Sequence, residues 1–148
     1  MRKYAKKFIL LFTIFSLGIS GMIMGQTSNG PEFKYKAENN RIHLDTMYLD
    51  NLEDPVKLEI KFENDGDAPL LVKKVSGCCG TNVKEWTRKP LQPGEEGVIR
   101  IEFRVPPRPH RISRTITAVS NDNSGNEKLS IQGMVAKRDD DSLQLGGN

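Results

Sequence analysis

Two adjacent cysteines, Cys78 and Cys79, are the residues of this chain most suited to chemistry, and they are its only cysteines. Glycines flank them as Gly77 and Gly80. Three fates are open to the pair: a bridge to each other, two free thiols, or a bond to another molecule. Neighbouring Cα atoms lie about 3.8 Å apart across a trans peptide, below the roughly 4.4 Å at which disulfides begin to fit. A bridge between neighbours is therefore strained and easily reduced. Such a pair suits a redox element, and two thiolates can also hold a soft ion such as Cu(I). The plainer reading makes them turn residues packed under the edge of the fold. No C-x-x-C and no nearby histidine completes a metal set.

A second group is basic. Arg100, Arg104, Arg108, Arg111 and Arg114, with His110, surround the proline-rich bend RVPPRPHR. Arg104, Arg108 and Arg111, with the single tryptophan Trp86, form the candidate interaction surface. The arginines could meet an acidic partner, or they could be a solvated face that blunts a strand edge. Trp86 reads as a plug at the core rim or as a ligand platform. There is no G-x-S-x-G, no H-E-x-x-H and no phosphate-cradling glycine loop before a helix. Acid pairs fall at Glu95-Glu96, in a turn, and at Asp139 to Asp141, in a charged tail. Neither is held for acid–base work. The expectation is no enzyme, no metal site and no cofactor.

The elements that must position these residues are strands. Val56, Leu58, Ile60 and Phe62 alternate with charged residues, as a strand with one buried face does. Ile99, Ile101, Phe103 and Val105 repeat the pattern, as do Leu129, Ile131, Gly133 and Val135. Leu70 to Val75 and Ile112 to Ser120 add two more strands. Turn signals separate them: Asn64 to Pro69, where Gly66 is expected to supply a positive φ, then Pro93-Gly94 and Asn121 to Asn126. No helical period appears after the head. This predicts an all-β, immunoglobulin-like antiparallel β-sandwich of about seven strands over 41–136. Residues 26–40 are expected to be a flexible lead-in and 137–148 a disordered tail.

The head differs from the rest. Arg2, Lys3, Lys6 and Lys7 precede an apolar run from Phe8 to Gly25, which predicts a signal peptide over 1–25. Cleavage is expected after Ser20 or after Gly25, the latter leaving Gln26 first. The alternative is an uncleaved anchor, although the run falls a little short of the roughly 20 residues that span a bilayer. The head holds four of the 22 basic residues, leaving 18 against 19 acids. The basic character of the whole chain therefore gives no argument for nucleic acid.

Particular motifs carry a resemblance. F-x-N-x-G-D-A-P-L runs from Phe62 to Leu70, followed by Cys79, Gly80 and Trp86. P-L-x-P-G-E spans Pro90 to Glu95, I-x-I-x-F spans Ile99 to Phe103, and Ser120-Asn121 precedes L-x-I-x-G-x-V at Leu129 to Val135. A weaker match lies at Tyr48 to Leu52. This stretch resembles the bacterial secreted family Domain of Unknown Function 1573, similar to immunoglobulin-like domains of ciliary and centrosomal proteins. Two departures stand out. Thr81 occupies the place of the family's second cysteine, with Cys78 as an extra one, and Leu49-Asp50 replaces an aromatic-glycine pair. The resemblance implies a fold and an exported compartment, not an activity. The resulting expectation is a periplasmic or secreted, non-catalytic binding or structural module. Its partner is another envelope or extracellular protein, not nucleic acid, with no membrane span after cleavage. The alternative is a thiol-dependent redox or soft-metal-handling protein built on Cys78 and Cys79.

Overall fold

Alternating residues become strands with one buried face. In Val56–Asn64, Val56, Ile60, Phe62 and Asn64 are buried while Lys57, Glu59 and Lys61 are exposed. The computed structural model describes residues 29–138. The expected signal peptide and residues 139–148 of the expected tail lie outside them. Nine strands form among the described residues: β1 (Phe33–Tyr35), β2 (Arg41–His43), β3 (Met47–Tyr48), β4 (Val56–Asn64), β5 (Val72–Gly77), β6 (Thr81–Trp86), β7 (Glu96–Phe103), β8 (His110–Ser120) and β9 (Asn126–Ala136). One sheet runs β1-β4-β7-β6, and the other runs β2-β9-β8-β5 with β3 also on β9.

The sheets face each other across one core, so the expected sandwich forms. Ile60, Phe62, Ile99, Ile101 and Phe103 come from the first sheet, and Ile112, Ile116, Leu129, Ile131 and Val135 from the second. Burying each large apolar side chain contributes roughly 1.5–3 kcal/mol.

Three expectations change. The strand count is nine, and β2 and β3 run parallel to β9. The path permits this sense: β4 to β8, drawn from both sheets, lie between β3 and β9, and a parallel pair needs such a long connection. Second, the lead-in is not bare, and the domain starts before 41. Phe33–Tyr35 pairs antiparallel with β4, and Phe33 stacks on Phe62 with ring centroids 4.6 Å apart. Third, Gly66 has no positive φ. It is needed because the backbone of Gly30 to Glu32 crosses directly over it, where a Cβ would collide.

Both strands that flank the cysteines are irregular. β5 shifts register between Val72 and Lys74, which leaves Lys73 and Lys74 both exposed and keeps Val72 and Val75 inside. β6 shifts between Val83 and Glu85. These two strands are sheet edges. A bulge and an outward lysine are what blunt an edge against further pairing.

Candidate functional site

Cys78 follows β5 and Thr81 opens β6, so the cysteines sit where the chain crosses from one sheet to the other. The Thr81 N–H donates to the Cys78 carbonyl at 3.1 Å, closing a four-residue turn. Its central residues, Cys79 and Gly80, have φ of 59° and 78°. Positive φ at both positions marks the mirror-image turn that favours Asn-Gly. Gly80 accepts this freely. A side-chain-bearing residue pays about 1–2 kcal/mol for the left-handed region. Cys79→Asn should therefore raise stability by about 0.5–1 kcal/mol in denaturant titrations under reductant. A loss of stability would contradict this account of the turn.

The sulfurs are paired and differentiated. Cys79 is exposed and Cys78 half-buried. The Cys79 thiol donates to Cys78 Sγ at 2.8 Å. Cys78 is also held by Thr115: its N–H donates to the Thr115 carbonyl at 2.9 Å, and the Thr115 N–H donates to its sulfur at 3.2 Å. The bond from Cys79, then the Thr115 N–H and the Arg114 charge, lower the Cys78 pKa against the opposing effect of burial. The same bond, with Cys79 as donor, raises the Cys79 pKa. Cys78 is thus the more acidic thiol of the pair and Cys79 the less acidic one.

Arg114 lies beneath this turn. It shares strand parity with Ile112 and Ile116, so it points inward from the first half of β8. Its guanidinium carbon sits 5.5 Å from the centre of the Phe103 ring, and its Nη2 reaches the Arg104 carbonyl at 3.5 Å. Among the described residues, the buried side-chain polar atoms without a hydrogen-bond partner are Arg114 Nε and Thr81 Oγ1. Thr81 is the cross-strand neighbour of Phe103. Both orphans therefore flank one ring under one turn. Buried polar atoms are rarely left unmatched, so their coincidence singles out this end.

The other expected residues divide. Arg104 and Arg108 are exposed in the bend between β7 and β8, and Arg111 is exposed near the start of β8. Register places that bend at the same end as the cysteine turn, since Phe103 pairs with Thr81. Arg100 does not join them. It bonds Glu59 at 3.0 Å and Glu85 at 2.7 Å on the outer face of the first sheet. Trp86 is also elsewhere, about 16 Å along β6 at 3.3 Å per residue. It is half-buried, its Nε1 donates to the Val72 carbonyl at 3.4 Å, and Arg88 covers its ring at 4.0 Å. This is the rim plug, not an open platform. Sequence reasoning passed over Thr115, and it noted Thr81 only as a replacement. Arg114 was legible from its parity with Ile112 and Ile116.

No group of three or more potential metal-ligating side chains gathers among the described residues. None of the described helices is long and apolar enough to cross a membrane.

Comparison with known proteins adds the fold's relatives. The chain is similar to a protein of unknown function from Porphyromonas gingivalis W83, at 17% identity and a TM-score of 0.53, over 72% of this chain and 47% of that one. It is similar to the secreted serine protease VesC from Vibrio cholerae at 10% identity and a TM-score of 0.53, over 72% of this chain and 23% of that one. The VesB protease of Vibrio cholerae follows at 9% and 0.51, over 72% and 32%. The chain spans less than half the length of each, and such identities speak for the fold alone. No protein of curated function matches. The family described as protein of unknown function (DUF1573) matches residues 36–135, about two-thirds of the sequence, and the chain belongs to that family.

Proposed function

We propose that this domain is an exported, non-catalytic recognition module. It engages another envelope or extracellular protein through the end of the sandwich formed by the Cys78 to Gly80 turn and the Arg104 to Arg111 bend. The observation that carries this reading is the convergence there of two orphaned buried polar atoms, a thiol pair and exposed arginines. Loops are the better contact than an added strand. β5 and β6 are bulged, and β1 is only three residues long. Export rests on the basic and apolar head, with Gln26 as the expected first residue of the mature chain.

Photo-crosslinking in the native envelope tests the reading. A crosslinker at Arg108 should give a discrete adduct, and one at Gln92, at the opposite end, should not. Equal labelling from both ends, or adducts from Gln92 alone, would overturn it.

A second reading, a thiol-dependent redox or soft-metal-handling protein, is favoured by one specific contact, the 2.8 Å approach of the two sulfurs.

A further inference from the structure

We propose that Cys78 and Cys79 form a dithiol–disulfide couple that exchanges with thiols and disulfides carried on anionic molecules. This rests on the second reading and names its chemistry. Disulfide formation needs only two sulfurs, whereas a closed tetrahedral metal site needs further ligands. The two sulfurs are already in contact at 2.8 Å. The turn that joins them is fixed on its Cys78 side by two bonds to Thr115 and left exposed on its Cys79 side.

The asymmetry assigns the roles. In the disulfide form, an incoming thiolate RS⁻ meets the exposed Cys79 sulfur. The Cys78–Cys79 bond breaks, a Cys79–S–S–R bond forms, and the electron pair leaves on Cys78. The departing Cys78 thiolate is received by the Thr115 N–H, beside the Arg114 guanidinium. A second thiolate attacks the R sulfur and releases Cys79, which takes up a proton to become the thiol that donates to Cys78. The balance is one vicinal disulfide plus two RSH giving one dithiol plus RSSR. The reverse reaction, with RSSR as oxidant, regenerates the disulfide. Strain in a bridge between neighbours makes the disulfide the readily reduced member.

Charge selects the partner. Arg104, Arg108 and Arg111 are exposed at this end with Arg114 beneath, whereas Arg138 is already engaged by Asp50 at 3.3 Å. Glu53 and Asp54 are the exposed acids of the connection leading into β4 at this end, so the local balance is positive. A thiol bearing carboxylates is drawn in, and one bearing ammonium groups is repelled.

The test uses the full chain, glutathione with its disulfide, and cysteamine with cystamine, each followed by acid quench, thiol blocking and intact mass. The expected results are a species two hydrogens lighter than the dithiol and a mixed disulfide mapped to Cys79. Reduction by glutathione should be about ten-fold faster than by cysteamine at matched thiolate concentration and low salt. That ratio should fall towards one at about 1 M salt, and several-fold in Arg108→Gln with Arg111→Gln. Equal rates at low salt would overturn the anion preference, and a mixed disulfide on Cys78 would overturn the assigned roles. If no lighter species forms at any ratio while the thiols still take up one Cu(I), the couple is wrong and the thiol-dependent reading survives. If neither occurs, both fail.

Discussion

Asn64→Ala will destabilise the domain by about 3–5 kcal/mol, more than truncation of a surface asparagine by far. Asn64 is completely buried at the end of β4. Its Nδ2 donates to the Ala68 carbonyl at 2.8 Å and the Leu91 carbonyl at 3.0 Å. Its Oδ1 accepts from the Gly66 N–H at 3.1 Å and the Glu32 N–H at 3.3 Å. One side chain thus fastens the segment before β1, the turn after β4 and the loop before β7. Alanine strands those groups around a void, and each unsatisfied buried group costs about 1–3 kcal/mol. Asn64→Asp is the sharper variant, because it keeps the shape but aims carboxylate oxygen at two carbonyls. Its carboxyl would have a pKa raised by folding. Stability would therefore be greater below the carboxyl's unfolded pKa and lost as pH rises through the folded one. Urea unfolding at pH 4 and pH 7 checks both. An Asn64→Ala loss below about 1 kcal/mol, or an Asp variant no weaker at pH 7 than at pH 4 once the parent's own change is subtracted, would refute this view of the turn.

Gly97→Ala will cost about 2–3 kcal/mol through overpacking. Gly97 faces Phe62 across the β4–β7 pair, and a Cβ there would overlap the far end of the Phe62 ring. The ring cannot move aside. It is fully buried and stacked on Phe33, which in turn meets Tyr35 edge-on with centroids 4.8 Å apart. The two sites are coupled, so the double variant with Phe62→Leu should be more stable than the sum of the single losses predicts. Strict additivity in that cycle would mean that the ring and the glycine do not compete for the same space.

Much of this architecture was legible because the long strands obey a period of two. β4, β7, β8 and β9 each show their buried face in the order of their residues. β1, β2 and β3 were not legible, since two or three residues cannot display a period. Parallel pairing of β2 and β3 with β9 depends on where the chain returns, which local pattern does not encode. The bulges at Lys73 and Lys84 interrupt alternation and blur β5 and β6. At the candidate site the cysteines stood out by type alone. Strand parity also separates Arg100, outside, from Arg114, inside, but their partners, two glutamates on neighbouring strands for one and Phe103 for the other, follow from pairing that local pattern does not encode.

Intact mass of the protein taken from its native envelope, with thiols trapped in acid before and after reductant, tests most directly whether the molecule works through its cysteine end. The account predicts a chain beginning at Gln26 in which a fraction of Cys78 and Cys79 is oxidised, either two hydrogens lighter or joined to a partner, and is returned to the dithiol by reductant. A chain whose two thiols are fully blocked before reduction, with no species that reductant changes, would contradict the couple and leave the plain recognition module.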